Sequence, residues 1–276
     1  MKTTIVTKGL FVLMAAVLVL SACAPAATPT TAPTVANPPT EAPTVAAQPT
    51  TGAKVYRIAT DATYPPFETV DETTKLPVGF DIDLFTAVAE EAGFQFEFVN
   101  VNFDALLAGM AQCQYDAAIS AVTITEDRQK SFNFSDSYIN AGQVVTINKE
   151  TTDINGVADL TGKRIGVQIG TTGAIEAEKI EGAEVKTYDT VDLAFSDLAN
   201  RQVDAVVADY PTSLAFVQGN PDKIVTTGDV FTAEEYGMPV CKSNTELLAM
   251  INEGLAGVKA KGLIAELEKK WLSGLE

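Results

Sequence analysis

An arginine near the start of a predicted helix is the first residue of this sequence that suggests a chemical role. The segment Ser120–Arg128 reads Ser-Ala-Val-Thr-Ile-Thr-Glu-Asp-Arg, so an apolar strand leads into Thr125, a suitable helix N-cap. Arg128 then falls in the first helical turn, where the helix dipole disfavours a cation. Its guanidinium could bind the carboxylate of a small ligand through a bidentate contact. Alternatively, Arg128 is solvated and offset by Glu126 and Asp127, and this segment alone supports both interpretations equally.

Two other loops carry groups that could complete such a binding site. The segment Gly170–Gly173 reads Gly-Thr-Thr-Gly and precedes a predicted helix, so its backbone N–H groups could bind an anion, although it lacks the Lys of a P-loop. Asp209 ends an apolar strand and could bind an ammonium group. Tyr64 and Phe103 could enclose an apolar part of a ligand. An anion site, a cation site and two aromatic rings together match a zwitterionic α-amino acid.

Each of these residues also has a purely structural interpretation. Phe103 lies on the apolar stripe of a predicted helix, and both it and Tyr64 could belong to the core. The segment Gly170–Gly173 could be only a turn and a helix cap, and Asp209 could cap a turn before Tyr210. The binding hypothesis therefore depends on whether these residues come together in the fold.

The elements that must position these residues occur twice in the sequence. Each copy is predicted to run strand, loop, helix, strand, helix, strand, starting near Lys54 and near Lys163. This alternation predicts parallel sheets in two α/β lobes. Ligands of such sheets bind beyond the carboxyl ends of the strands. The rule selects four loops, at residues 61–64, 121–125, 168–172 and 208–209.

Composition excludes several classes of function. The chain has no histidine, which excludes Ser-His or Cys-His catalysis and His-ligated zinc. Its net charge of −17 argues against nucleic acid or an anionic membrane surface as a partner. Beside Cys23, the chain has Cys113 and Cys241, which could form one disulfide in an oxidising compartment or remain two free thiols.

The first part of the chain is predicted to be an export signal and a linker. Lys2 and Lys8 precede the apolar run Gly9–Leu20, which is too short for a permanent membrane span. Leu-Ser-Ala-Cys at residues 20–23 resembles a bacterial lipobox, which implies a signal peptide at 1–22 and lipidation of Cys23. Residues 23–53 then comprise the lipidated cysteine and a Thr/Pro/Ala-rich extended linker. We therefore expect an extracytoplasmic protein anchored to the cell membrane by lipid.

Ten short motifs are spread through residues 54–276. They are Ala59-Thr60-Asp61, Tyr64-Pro65-Pro66-Phe67-Glu68, Val78–Leu84, Phe103–Leu106, Thr123-Ile124-Thr125 with Arg128, Phe134-Ser135-Asp136, Val167–Gly173, Asp204-Ala205-Val206 with Asp209, Tyr236-Gly237 and Lys269-Lys270-Trp271. Together these motifs resemble the solute-binding proteins (family 3) of polar-amino-acid ABC transporters. The resemblance implies a type II periplasmic-binding-protein-like α/β fold with two lobes, each a mostly parallel sheet flanked by helices, and two hinge strands. It implies a first lobe at 54–139 and 238–276, a second lobe at 142–235, and hinges near 140–142 and 236–237.

The resemblance also assigns a role to each residue around the α-carbon of an amino acid ligand. It implies that Arg128 binds the α-carboxylate, with the Thr123 and Thr172 amides assisting. It implies that Asp209, the Thr123 hydroxyl and the Ala121 carbonyl bind the α-ammonium. Members of the family often have Gly or Ser where this chain has Ala121, which keeps the carbonyl but has no hydroxyl.

The rest of the ligand is assigned in the same way. Tyr64 and Phe103 would flank the ligand side chain, and Asp61, Asp81 and Gln168 would lie near its end. Since this end has no lysine or arginine, glutamate and aspartate are disfavoured as ligands. The string Gln168–Gly173 most resembles arginine- and basic-amino-acid-binding members of the family, which favours a basic, arginine-like ligand. Glutamine is the alternative, because Asp61 and Asp81 have counterparts in glutamine binders. The complete implied set is Asp61, Tyr64, Asp81, Phe103, Ala121, Thr123, Arg128, Gln168, Thr171, Thr172 and Asp209.

The resemblance further implies partners and a covalent link. We expect a monomer that binds a free L-amino acid and delivers it to an ABC permease, without catalysis, cofactor or metal. A cyclohexadienyl dehydratase-like enzyme on the same fold and a receptor sensor domain are the competing hypotheses. In the family fold the strands next to Cys113 and Cys241 are neighbours, so a disulfide between these cysteines is the working hypothesis.

Overall fold

The computed structural model describes residues 54–274. The predicted signal peptide, Cys23 and the linker lie outside the described residues. The helices are α1 (Phe80–Ala92), α2 (Phe103–Ala111), α3 (Glu126–Ser131), α4 (Thr172–Glu178), α5 (Val191–Ala199), α6 (Tyr210–Gly219), α7 (Thr245–Ala260) and α8 (Leu263–Trp271), with a 3₁₀ turn at Val157–Leu160. The strands are β1 (Val55–Thr60), β2 (Thr63–Tyr64), β3 (Glu68–Val70), β4 (Pro77–Val78), β5 (Gln95–Asn100), β6 (Ala117–Ala118), β7 (Asn133–Phe134), β8 (Ile139–Ala141), β9 (Gln143–Asn148), β10 (Arg164–Gln168), β11 (Glu184–Tyr188), β12 (Ala205–Asp209), β13 (Ile224–Thr227), β14 (Glu234–Tyr236) and β15 (Pro239–Val240).

Two five-stranded sheets repeat one topology. The first has the order β5-β1-β6-β15-β7 and the second the order β11-β10-β12-β9-β13. In each sheet the central strand of the repeat runs parallel to both neighbours, β1 to β5 and β6, and β10 to β11 and β12. The fourth strand of each sheet is antiparallel to the third. The predicted α/β fold with two sheet-containing lobes is therefore confirmed.

Two short strands connect the sheets. β8 leads from the first sheet into the second, and β14 leads back to the first. They pair antiparallel, with Ile139 opposite Tyr236. A further isolated bridge joins Tyr236 to Thr123, so this crossing lies directly beside one of the predicted ligand-binding loops.

The first sheet is covered by two closely packed helices. Phe80, Phe85 and Leu84 of α1 are fully buried in a core that α7 also lines. The two helices approach at Gly254, where a Cβ would lie 2.4 Å from the carbonyl oxygen of Val88. Only glycine leaves room for this contact, so α7 closes over the core at this position. Within residues 54–274, no helix is long and apolar enough to cross a membrane.

Element boundaries differ from the sequence prediction at a few positions. Gly93 ends α1 in a left-handed conformation, as its position predicted. The helix expected from Ala174 begins instead at Thr172, because the Thr171 hydroxyl caps it by accepting a hydrogen bond from the Ala174 amide at 3.1 Å. The strand expected over residues 115–119 forms a ladder only at Ala117–Ala118.

The two cysteines of the folded part are bonded. A disulfide joins Cys113, which precedes β6, to Cys241, which follows β15. These strands are antiparallel neighbours, with Val240 opposite Ala117. The disulfide therefore fixes the returning end of the chain to the first sheet, beside the amino end of β6.

Candidate functional site

A cavity lies between the two sheets, at the carboxyl ends of their parallel strands. Ten of the eleven residues predicted to bind a ligand line it. Asp81 does not, and Ser120 lines it although it was not predicted. The lining residues are Asp61, Tyr64, Phe103, Ser120, Ala121, Thr123, Arg128, Gln168, Thr171, Thr172 and Asp209.

The guanidinium of Arg128 spans the cavity between the sheets. The Thr125 hydroxyl caps α3 by accepting a hydrogen bond from the Arg128 amide at 3.2 Å, as predicted. The guanidinium donates to the backbone carbonyls of Thr123 at 2.8 Å and Gly170 at 3.0 Å, and it lies 5.4 Å from the centre of the Phe103 ring. It forms no ion pair with a carboxylate of residues 54–274. Arg128 is thus a half-buried cation without an anionic partner in the described chain, and burial lowers its pKa.

Asp209 faces the same cavity from the second sheet. It is the last residue of β12 and only 4% exposed. The Tyr64 hydroxyl donates to its Oδ2, whereas its Oδ1 accepts no hydrogen bond from the described residues. Burial, together with the nearby charge of Glu234, raises the pKa of Asp209 to about 6. A cationic group placed against this carboxylate would stabilise its ionised form.

Asp61 and Gln168 meet at another side of the cavity. The Gln168 amide donates to Oδ2 of Asp61 at 2.7 Å, and the Thr63 hydroxyl donates to Oδ1 at 2.9 Å. Asp61 is 2% exposed, and burial raises its pKa despite these hydrogen bonds. Oε1 of Gln168 accepts no hydrogen bond within the described chain. This part of the cavity therefore offers carboxylate and amide oxygens but no cation.

Asp81 does not line the cavity but lies behind its wall, where it contacts the backbone of Ala121. Its Oδ2 accepts hydrogen bonds from the Ala121 amide at 2.7 Å and from the Tyr138 hydroxyl at 2.8 Å. Ala121 has a φ of +46°, a backbone conformation that L-residues rarely adopt, so the Asp81 contact stabilises a strained turn. The structure thus assigns Asp81 a position behind Ala121, because its helix, α1, directs this side chain into the first lobe.

Asp81 is paired with a second buried carboxyl group. Glu68 lies within hydrogen-bonding reach of Asp81, and its Oε1 accepts from the Ser120 hydroxyl at 3.0 Å. Burial raises the pKa of both carboxyl groups, that of Glu68 well above its usual range. The nearby charge of Asp81 adds to the rise in the pKa of Glu68. The pair therefore fixes both residues of the Ser120–Ala121 turn at the cavity wall.

Sequence reasoning missed three polar residues at the site. Ser120 lines the cavity, and Glu234 and Gln143 hydrogen-bond to the hydroxyl of Thr172. Ser120 directly precedes the predicted Ala121 and could have been found from that position. Glu234 and Gln143 lie at the ends of the crossing strands, and their approach to the site depends on the three-dimensional crossing.

Known proteins resemble this chain over nearly all of its described part. Residues 56–274 match the family described as bacterial extracellular solute-binding proteins, family 3. Two curated relatives are 34% identical over 227 residues. They are a probable histidine-binding protein of Neisseria gonorrhoeae, with 80% of this chain and 84% of the relative covered, and the ABC transporter arginine-binding protein 1 of Escherichia coli K12, with 80% and 92% covered. The solved structure of the arginine-, lysine-, histidine-binding protein ArtJ from Geobacillus stearothermophilus matches with a TM-score of 0.75 and 38% identity, covering 79% of this chain and 95% of ArtJ.

The family match and the geometry agree. The match extends through both sheets, the two crossing strands and every residue that lines the cavity. The matched residues thus include the residues of the binding cleft, and the match leaves out only the first part of the chain and its last two residues. The chain belongs to the bacterial extracellular solute-binding proteins of family 3.

Proposed function

We propose that the cavity binds a polar L-amino acid, with a basic, arginine-like amino acid favoured, and that the protein delivers it to an ABC importer. As a member of an extracellular solute-binding family, the protein is a binding protein rather than an enzyme and acts outside the cytoplasm. One observation carries the ligand proposal. Arg128 and Asp209 face one cavity from different lobes and do not form an ion pair with each other. Opposite charges held apart in this way fit the two charged groups of an amino acid.

The two charged groups of the ligand are assigned to separate partners. Arg128 would bind the α-carboxylate through its guanidinium, with the backbone amides of Thr123 and Thr172 assisting. Asp209 would accept a hydrogen bond from the α-ammonium, assisted by the Ala121 carbonyl and the Thr123 hydroxyl. Binding at micromolar strength requires about 8 kcal/mol. Two charge-assisted contacts and the burial of the aliphatic part against Tyr64 and Phe103 supply a free energy of this order after the cost of association.

The other end of the cavity favours a cationic side chain. Asp61 and the free Oε1 of Gln168 accept hydrogen bonds, and a guanidinium presents several donors in one plane. The names of the three similar proteins described above agree with this preference, since they describe binding of arginine, lysine or histidine. Glutamine is the second candidate, because its amide N–H groups could donate to Asp61 and to the free Oε1 of Gln168.

Ligand binding is proposed to be coupled to closure of the lobes. Arg128 and Thr123 belong to the first lobe, whereas Thr172 and Asp209 belong to the second. A ligand would make all of its contacts only when the lobes are closed, so it would shift the population toward the closed form. We propose lobe boundaries at 54–139 with 238–276 and at 142–235, a lipid anchor at Cys23, and a monomeric protein.

A thermal-shift screen tests this function. The chain without its signal peptide and Cys23, residues 24–276, would be heated with each of the twenty amino acids in turn, and hits would be titrated calorimetrically. We expect L-arginine to raise the melting temperature most and to bind at micromolar strength or better. No stabilisation by any amino acid would overturn the proposal, and stabilisation by L-glutamine alone would replace arginine with the second candidate.

A further inference from the structure

The carboxylate of Glu234 joins the two lobes beside the cavity. It lies on β14, one of the crossing strands, and is half-buried. Its Oε2 accepts hydrogen bonds from the hydroxyls of Thr123 at 2.7 Å and Thr172 at 2.8 Å. Its Oε1 accepts from the Gln143 amide at 3.2 Å and the Thr232 hydroxyl at 2.9 Å. One side chain thus contacts the first lobe through Thr123 and the second through the other three residues.

These contacts determine the hydrogen-bonding role of the two cavity hydroxyls. A threonine hydroxyl has one proton and two lone pairs. Because Thr123 and Thr172 both donate their protons to Glu234, their oxygens, 3.4 Å apart, retain only lone pairs for the cavity that both residues line. Thr123 has two of them and Thr172 one, since its other lone pair accepts from the Gln143 amide at 3.2 Å. Both oxygens are therefore acceptors toward any group in the cavity. An ammonium group has donors only, so it fits this arrangement, whereas a carboxylate does not.

Glu234 also adds negative charge to the cation-binding side of the cavity. Its charge is one of the causes of the raised pKa of Asp209, and it favours the charged form of Arg128. The two carboxylates act on the same region, with Asp209 lining the cavity and Glu234 behind the threonine hydroxyls. A cation in this part of the cavity is attracted by both.

We propose that Glu234 is a positioning residue that turns the Thr123 and Thr172 hydroxyls into acceptors for the ligand α-ammonium, and that this contact requires both lobes. The proposal rests on the proposed function. It goes beyond it by assigning ammonium specificity to a residue of the crossing strand that does not itself line the cavity. A purely structural connection between the lobes is the competing explanation.

A matched pair of substitutions tests the proposal. Glu234→Gln and Glu235→Gln remove the same charge from adjacent positions of β14, but Glu235 is exposed. We expect Glu234→Gln to weaken L-arginine binding at least tenfold in calorimetric titrations of residues 24–276, and Glu235→Gln to change it less than twofold. A thermal melt of each variant without ligand reports whether the fold is retained.

A double-mutant cycle shows whether Glu234 acts through the hydroxyl. If it does, Thr123→Val together with Glu234→Gln weakens L-arginine binding by clearly less than the sum of the two single losses, and the loss that Glu234→Gln still adds is the share that acts through Thr172. A loss in the double variant equal to the sum of the losses in the two single variants would overturn the proposal. The cycle is measured with L-arginine. Because it compares the same Glu234→Gln substitution with and without the Thr123 hydroxyl, it remains informative even where Glu234→Gln alone lowers the melting temperature.

An analogue without the α-ammonium separates positioning from a structural role. 5-Guanidinopentanoic acid, measured by displacement of L-arginine, should bind Glu234→Gln and the unmutated chain within threefold of each other. An equal loss for both compounds would overturn the proposal. If the unmutated chain binds L-glutamine instead, the experiment uses L-glutamine and 5-amino-5-oxopentanoic acid. Binding of no amino acid by the unmutated chain would overturn the proposed function itself, whereas equal binding losses in Glu234→Gln and Glu235→Gln would overturn this inference alone.

Discussion

The side-chain amide of Gln168 donates a hydrogen bond to Oδ2 of Asp61, with the nitrogen and oxygen 2.7 Å apart, and so joins the two lobes across the cavity. Asp61 directly follows β1 of the first sheet, and Gln168 is the last residue of β10 in the second. The same two residues are proposed to contact the end of the ligand side chain. A guanidinium bound there would compete with the Gln168 amide for Asp61. The same carboxylate would therefore bind the ligand and form a contact between the lobes.

Replacing Asp61 tests the preference for a basic side chain. We expect Asp61→Asn to weaken L-arginine binding by about 1.5–3 kcal/mol, because a charged hydrogen bond to the guanidinium is lost. L-Glutamine binding should change less, since an amide end needs no opposite charge. Calorimetric titration of both amino acids on both proteins measures the difference. Equal losses for arginine and glutamine would contradict the assignment of Asp61 to a cationic group.

Replacing Arg128 tests the carboxylate anchor. Arg128→Ala should weaken amino acid binding by roughly 2–5 kcal/mol, because the ligand carboxylate is then buried without a charged partner. Arg128→Lys should restore only part of this loss, since lysine has no planar pair of donors. Lys130→Ala is the control from the same helix, because Lys130 is exposed and paired with Asp127. Unchanged affinity in Arg128→Ala, by the same titration, would exclude Arg128 as the anchor.

The buried carboxyl group of Asp209 should make the stability of the unliganded protein depend on pH. Its pKa is about 6 in the folded chain, against 3.8 for an exposed aspartate, so ionisation of this group opposes folding. The penalty is absent below about pH 4, grows as the pH rises, and is complete above about pH 6, where it reaches roughly 3 kcal/mol. We therefore expect Asp209→Asn to raise the free energy of unfolding at pH 8 but not at pH 4, as measured by urea denaturation. An equal effect at both pH values would contradict this origin.

Ionisation of Asp209, which lowers the stability of the unliganded protein, should raise its affinity for the ligand. The ammonium of the ligand requires the charged form of Asp209, so affinity should fall as the pH drops below about 6, by up to about tenfold per pH unit. Asp81 also titrates in this region, and Asp209→Asn separates the two groups. In that variant binding should be weak at every pH, and the part of the pH dependence that belongs to Asp209 should disappear.

Packing between α1 and α7 gives a stability test that is independent of the ligand. Gly254→Ala would place a Cβ 2.4 Å from the Val88 carbonyl oxygen and should reduce the free energy of unfolding by about 1–3 kcal/mol. Gly219→Ala is the control, since a Cβ at this exposed helical glycine meets no atom within 4 Å. Urea unfolding compares the two variants. A loss in Gly219→Ala as large as in Gly254→Ala would show that the close approach of the helices is not the cause.

Much of the site could be predicted because its residues directly follow apolar strands. Thr123, Gln168 and Asp209 each come at or just after the end of such a strand, and the parallel topology brings these ends to one cleft. Asp81 lies instead on a helix, where the direction of a side chain depends on tertiary packing. Its carboxyl group therefore accepts a hydrogen bond from the Ala121 amide behind the cavity wall, although the resemblance implied that it lies near the end of the ligand side chain.

Glu234 could not be predicted from local sequence patterns. It contacts Thr123 and Thr172, which lie 111 and 62 positions away along the chain. These contacts exist because two short strands cross between the lobes, and neither strand is long enough to leave a periodic pattern. The start of α4 differs from the prediction for another reason. Thr171 caps the helix, so it begins earlier than the apolar pattern suggests.

The disulfide has a consequence for the integrity of the protein outside the cytoplasm. Cys113 and Cys241 are 128 positions apart, and the five strands of the second sheet all lie between them. A protease that cut the backbone once anywhere in this interval would leave a single covalent molecule, because the sulfur bridge still connects the two pieces. Both halves of the cleft would then stay at the high effective concentration of a tethered pair. The bond therefore protects the connection between the lobes against one cut, which peptide bonds alone cannot do.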